Sequence, residues 1–186
     1  MGSDNPTGAD DQQERPSCTT WLDAVPADLG NWVAGFVDGE GSFNIPIRRL
    51  SGGALPYRVS LSFNVSQIGP QEPSLLRDVF GTGTVRARGD GVWYYEVTTV
   101  GGLVERVFPF FERYPLRGAK RHDLVAFRQV TALIQAGRHL SHAGFIEILA
   151  LRGPMNRGGK RRRTDEELIS GLSDRDPQRP YAERPQ

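Results

Sequence analysis

Residues 33–41 read Val-Ala-Gly-Phe-Val-Asp-Gly-Glu-Gly, which sets two carboxylates, Asp38 and Glu40, among glycines. A carboxylate is a hard oxygen donor, the kind that Mg2+ takes together with phosphate oxygens. Two cations flanking a phosphodiester can generate the attacking oxygen and stabilise the leaving one. The small residues beside the acids, Ala34, Gly35 and Gly39, leave one side of a helix bare, so a second helix backbone can approach closely. Two such helices side by side bring two Glu40 carboxylates together, which is unfavourable unless cations sit between them. The stretch occurs once and the chain has no internal repeat, so the second helix has to come from a second subunit related by a two-fold axis. A two-fold protein matches a pseudo-palindromic duplex, one half-site per subunit.

The elements that must position these residues follow from the pattern around them. A helix is expected from Asp28, as N-cap, with Trp32, Val33, Phe36 and Val37 as its apolar stripe and the glycines at 39 and 41 as its stop. Residues 42–49 alternate as a half-buried strand, with Phe43, Ile45 and Ile47 on one side, and Pro46 requires an edge position or a bulge. After a turn at Ser51-Gly52-Gly53, a second strand points Tyr57, Val59, Leu61, Phe63 and Val65 one way and Arg58, Ser60, Ser62, Asn64 and Ser66 the other. Pro70 and Pro73 introduce a short helix over 74–80, closed by Gly81. A second hairpin, 84–88 and 92–99, puts Arg86 and Arg88 on one face, as it does Tyr94, Glu96 and Thr98. Helices are then expected over 103–114, interrupted near Pro109; over 119–135, with Leu124, Val125, Phe127, Val130 and Ile134 inside; and over 141–151. Thr164 and Glu167 form a capping box for a last short helix.

The order helix, two strands, helix, two strands, helices predicts an α+β fold: an antiparallel sheet with helices on one face and a polar face left open. Its domain should span 28–153, between an acidic disordered tail (1–27) and a basic segment with a short helix (154–186). The polar face collects Ser42, Asn44, Arg48, Arg58, Ser60, Ser62, Asn64, Arg86, Arg88, Tyr94, Glu96 and Thr98. Two-stranded ribbons fit the major groove of DNA, where Arg can bridge guanine, Asn adenine, and Glu can accept from cytosine.

The nine residues resemble the LAGLIDADG signature of homing endonucleases, matching it at Ala34, Gly35, Asp38 and Gly41. The resemblance continues through Ser62-Phe63-Asn64-Val65-Ser66-Gln67, through 114–121 and through 155–163, covering roughly 29–172. It implies the saddle-shaped fold of that family in its single-motif, homodimeric form. It implies site-specific double-strand cleavage of a long pseudo-palindromic DNA with Mg2+, for which Mn2+ can substitute. It places the essential acid at Glu40, a Glu where the ideal string has Asp, with Gly39 beside it at the metal. Asp38 caps or braces the helix end. Gln67 positions a water or metal-bound hydroxide, and Lys120, in competition with Arg117 and Arg121, stabilises charge at the phosphate. Trp32, Ala34, Gly35, Asp38 and Gly39 form the dimer interface, and the basic run at Lys160 and Arg161 touches phosphates. Two other uses of the fold stay open: a non-cleaving DNA-binding regulator, and a maturase that binds intron RNA.

Composition sets outer bounds. The chain has 186 residues, 38% hydrophobic and 24% charged, enough for one sizeable core. No apolar run approaches the roughly 18 residues of a membrane span. The first residues have no signal-peptide pattern, and the one cysteine, Cys18, cannot make an internal disulfide, so a cytoplasmic, nucleoid-associated or organellar location is expected rather than secretion. His122, His139 and His142 are too scattered for a metal site. The net charge of +1 conceals an uneven distribution: residues 1–30 carry six acids and one arginine, while 31–150 and 151–186 each carry three more Lys and Arg than acids. A modestly basic body permits a phosphate partner. Neither Gly39-Glu40-Gly41 nor Gly81-Thr82-Gly83 completes a nucleotide-binding loop.

Overall fold

The computed structural model describes residues 20–50, 55–156 and 163–173. The expected tail up to residue 19, the turn at 51–53, Lys160 and Arg161 lie outside them.

Helix α1 (Ala27–Glu40) follows a 3-10 turn at Thr20–Ala24 and buries Gly30, Val33, Ala34 and Val37. Its N-cap is Pro26 rather than Asp28; Asp28 lies inside the first turn, where a carboxylate still favours the helix dipole. Gly41, with extended backbone, ends the helix and begins strand β1 (Gly41–Asn44) with no loop between. A Cβ at Gly41 would fall 2.6 Å from the Val37 carbonyl oxygen, so only glycine permits this direct switch from helix to strand.

Each of the first two expected strands is divided. Residues 42–49 split into β1 and β2 (Ile47–Arg49), and the returning segment into β3 (Tyr57–Val59) and β4 (Ser62–Ile68). Pro46 has no N–H for the ladder and stands at the break, where its carbonyl accepts from Ser60 N–H at 2.9 Å. Helix α2 (Gln71–Phe80) starts before Ser74, with Pro73 in its first turn, and Gly81 (φ 62°) closes it. Strands β5 (Thr84–Ala87) and β6 (Val92–Val97) complete an antiparallel four-stranded sheet ordered β1-β4-β6-β5, while β2 and β3 form a separate two-stranded ribbon.

The interruption expected near Pro109 is absorbed upstream. Helix α3 (Val100–Gly102), a π turn at Leu103–Val107 and α4 (Phe108–Arg113) run on without a gap. Phe108 N–H bonds the Leu103 carbonyl, five residues back, and the widened turn precedes the proline. Helices α5 (Lys120–Gln135), α6 (His142–Arg152) and α7 (Asp165–Ser173) follow. The capping box ahead of α7 forms in both directions: Thr164 N–H to Glu167 Oε2 at 3.0 Å, and Glu167 N–H to Thr164 Oγ1 at 3.2 Å.

The helices cover one face of the sheet, against an aromatic cluster of Phe43, Phe63, Phe80, Tyr95, Phe110, Phe111 and Phe127. The predicted α+β arrangement is therefore observed. Val125, expected inside, is 54% exposed and points outward. The core also reaches past the 28–153 span expected for it, taking in Leu22, Val25, Met155, Leu168 and Leu172. Among the described residues no helix is long and apolar enough to cross a membrane.

Candidate functional site

The end of α1 exposes Gly39 and Glu40 to solvent and turns Asp38 inward. Asp38 Oδ2 accepts two backbone N–H groups, from Arg117 at 2.6 Å and Gly118 at 2.9 Å. Its Oδ1 is buried and accepts no hydrogen bond from a described residue. The carboxylate thus fastens the loop ahead of α5 to the end of α1. That loop is held from below by buried Leu116 and by the Tyr114 hydroxyl, which donates to the Val25 carbonyl at 3.0 Å. Lys120, half-buried, is the first residue of α5 and emerges two positions after Gly118. Arg117 and Arg121 are exposed. In the β1–β4 pairing Gly41, the residue after Glu40, stands opposite Val65, two positions before Gln67 on β4. The segments that carry Glu40 and Lys120 are thus joined through Asp38, and Gln67 lies two residues along β4 from the partner of Gly41.

Of the two motif acids only Glu40 is uncommitted: it has no hydrogen bond or ion pair with a described residue, whereas Asp38 is occupied as a brace. No group of three His, Cys, Asp or Glu side chains that could hold a metal exists among the described residues. Mg2+ is commonly held by one or two carboxylates plus phosphate oxygens and water. The Glu40 carboxylate, with the Gly39 carbonyl beside it, is the chemical type of protein donor that such a set takes.

Among the described residues nothing covers the outer face of α1, which is apolar. Trp32 is 46% exposed and stacks on Phe36 with ring centres 5.0 Å apart. Cβ atoms built at Gly35 or Gly39 meet nothing within 4 Å. Ala34 does not belong to this face: it is 6% exposed and packs into its own subunit's core, on the turn shared with Gly30 and Val37. Asp38 is likewise turned to its own loop. The open stripe is Trp32, Gly35, Phe36 and Gly39.

The uncovered face of the sheet is a polar network in register. Ser42, Asn64, Glu96 and Thr84 form one row across the four strands, and Ser66, Tyr94 and Arg86 the next. Arg86 pairs with Glu96, whose Oε1 accepts from Ser62 Oγ at 2.7 Å. Ser62 Oγ also accepts from Asn64 Nδ2 at 3.0 Å. Ser62 is buried, so it serves as a support for its neighbours and is not itself exposed to a ligand, a correction to its expected role. Arg88 bonds Tyr94 OH at 2.6 Å and Asp90, and this guanidinium holds the Asp90 carboxyl below its usual range. Thr98 is exposed just beyond β6. Arg48 and Arg58 stand opposite each other on the separate ribbon, with Ser60 between β3 and β4.

Sequence reasoning missed Asn156. It is the one described non-glycine residue with positive φ (50°), a conformation that Asn tolerates better than most. Its Nδ2 donates to the Phe43 carbonyl at 2.8 Å and to Asn44 Oδ1 at 3.3 Å, and its N–H donates to Asp123 Oδ1 at 3.0 Å. Asn44 in turn donates to Ser42 Oγ at 2.9 Å, so Asn156 orients the first polar pair of the sheet.

Residues 33–131 match the family model described as LAGLIDADG endonuclease. The chain belongs to the LAGLIDADG endonuclease family. A probable intron-encoded endonuclease of Neurospora crassa is 31% identical over 130 residues, 68% of this chain but 27% of its own length. The chain spans about a quarter of the length of this relative and of two other intron-encoded proteins that it matches. Among solved LAGLIDADG-type structures, the homing endonuclease I-TnaI is 33% identical, with a TM-score of 0.67 over 77% of this chain and 95% of its own. I-SmaMI, bound to an uncleaved DNA target in the presence of calcium ions, is 29% identical with a TM-score of 0.65, over 68% of this chain and 44% of that one.

Proposed function

We propose that two copies of this chain form a site-specific homing endonuclease that breaks both strands of a long pseudo-palindromic DNA. The observation that carries this reading is the division of labour between the two motif acids. Asp38 is consumed in holding the loop ahead of Lys120, which leaves Glu40 free at the helix end, one residue before the strand that pairs with β4. The relatives support it: intron-encoded endonucleases, and a structural neighbour bound to a DNA target. The compartment is that of the target DNA, a cytoplasm or an organelle.

In this mechanism the outer faces of two α1 helices meet through Trp32, Gly35, Phe36 and Gly39, which brings the two Glu40 side chains to the dyad. Glu40 and the Gly39 carbonyl would hold Mg2+, or Mn2+ in its place. When bound, the ion supplies Lewis-acid polarisation of the phosphate and a water of lowered pKa. The Gln67 amide orients the attacking water by hydrogen bonding. The Lys120 ammonium stabilises the charge that builds on the phosphate oxygens. Asn44, Asn64, Arg86, Arg88, Tyr94 and Glu96 read base edges in the major groove of each half-site, with Ser42 and Thr98 at the margins and Arg48, Arg58 and Ser60 beyond.

A supercoiled plasmid library of candidate sites incubated with Mg2+ tests the reading. Linear product is expected, and Glu40→Gln should abolish it while binding persists. Binding without cutting in either Mg2+ or Mn2+ overturns cleavage in favour of a regulator. Tighter binding to intron RNA than to duplex overturns it in favour of a maturase.

A further inference from the structure

A cleft of about 260 Å3 opens between β2 and the α6–α7 end of the molecule, lined by Ile47, Leu168 and four arginines, Arg48, Arg49, Arg152 and Arg163. We propose that it seats a backbone phosphate of the bound duplex, outside the stretch whose bases face the sheet. The proposal rests on the duplex reading above, not on cleavage.

Arg152 is the fixed member. Its side chain is 15% exposed, its Nε donates to the Ile45 carbonyl at 3.0 Å, and its Nη1 pairs with Asp165 at 3.0 Å. Arg48, Arg49 and Arg163 are exposed, and no described acid forms an ion pair with any of them. Arg58 adds a further cation directly opposite Arg48 across the ribbon. Like charges at facing positions of a ribbon destabilise it when nothing lies between them. Gathered cations of this kind gain from an anion, and the planar fork of a guanidinium matches phosphate oxygens two at a time. Buried Leu168 and half-buried Ile47 form an apolar wall that keeps water from one side of such a contact, and the weaker screening strengthens it.

The position in the fold points to DNA. Beyond the break at Pro46, β2 and β3 continue the paths of β1 and β4 away from Glu40, and Arg48 belongs to both ribbon and cleft. At about 3.3 Å per residue the strand path from Glu40 to Arg48 is at most ~26 Å. At roughly 3.4 Å per step along a strand, that path spans no more than about eight base pairs of duplex. The seated phosphate should therefore lie in the flank of each half-site, within about eight base pairs of the cut.

The test uses the full-length protein and fluorescence anisotropy on a duplex across a salt series. Arg49→Ala and Arg163→Ala should each lower the slope of log K against log salt by about 0.9, the value for one lost phosphate contact. Arg49→Lys, which keeps the charge, should hold most of the slope, and base preference should not change in any variant. A single neutral methylphosphonate in the flank should lower wild-type affinity and leave the alanine variants unaffected. An unchanged slope in both alanine variants, a shifted base preference, or indifference to every flanking methylphosphonate overturns the proposal. So does a loss seen only with structured RNA. The slope is read on any duplex the protein binds, cut or not, so failure of the nuclease reading shows separately as binding without product.

Discussion

Replacing Asp38 separates two jobs that an acid in this motif can do. If it is the brace that its hydrogen bonds describe, Asp38→Ala removes two charge-assisted bonds, at 2.6 Å to Arg117 N–H and 2.9 Å to Gly118 N–H. Bonds to charged groups are worth about 1.5–3 kcal/mol each when buried. The loop here is exposed, so water recovers part of that, and about 3 kcal/mol for the pair is a fair central value. At roughly 2–4 °C per kcal/mol for a domain of this size, Tm should fall by about 6–12 °C. Asp38→Asn keeps an acceptor oxygen without the charge, so its loss should be near half. Because the brace delivers the Lys120 segment, single-turnover cleavage should fall with it, by ~100-fold for a displacement near 1 Å. Asn should rescue part of both losses together. The assay pairs a thermal melt with single-turnover cleavage at saturating protein. Cleavage abolished in Asp38→Asn while its melt overlays the wild type would refute the brace and make Asp38 a metal ligand.

Gly35→Ala enters open space on α1 and should raise monomer stability by up to about 1 kcal/mol, read from a denaturant midpoint at low concentration. Gly35→Leu should instead weaken self-association in sedimentation equilibrium, and unchanged association would mean that the subunits do not meet on this face. Gly30→Ala should cost about 1–3 kcal/mol, since its Cβ would lie 2.3 Å from the Tyr114 ring; a wild-type melt would show that the ring yields freely. Burial pushes the Tyr95 phenol well above its usual value. The unfolded chain therefore loses that proton near pH ~10 while the folded chain keeps it, so this contribution is full below about pH 10 and falls by up to ~1.4 kcal/mol per pH unit above it. Tyr95→Phe should flatten that alkaline decline and cost about 1 kcal/mol at neutral pH for the lost bond to the Thr82 carbonyl, 3.1 Å long. Equal alkaline slopes in urea melts would contradict it.

The parity of β4 could be read from alternation because one face of the sheet is core: Phe63 and Val65 are fully buried and Asn64 is not. The helix that presents Glu40 was legible for the same reason, since Val33 and Val37 lie one turn apart. The phase of its small residues was not. Ala34 and Gly35 are adjacent in sequence, and only packing decides which turns inward. Pro46 announced a disturbance of the strand, but whether an edge, a bulge or a full break depends on partners. The least legible features are long-range. Asn156 meets Phe43 across 113 positions, and Asp38 meets Arg117 across 79, and no local pattern encodes either.

The contacts of Asn156 and Arg152 with the first strand also bear on solubility. Strand β1 is one border of the four-stranded sheet, and an unpaired border is a template on which another chain can add a strand. Here the carbonyls of Phe43, in β1, and of Ile45, just past its end, are already taken, by Asn156 Nδ2 and Arg152 Nε. The opposite border, β5, carries Arg86, with Arg88 just past its end, and charge discourages strand addition there. Each border is thus blunted, one by an occupied acceptor and the other by charged side chains. Loss of the Asn156 amide would free the Phe43 carbonyl on that border and raise the tendency to add a foreign strand there.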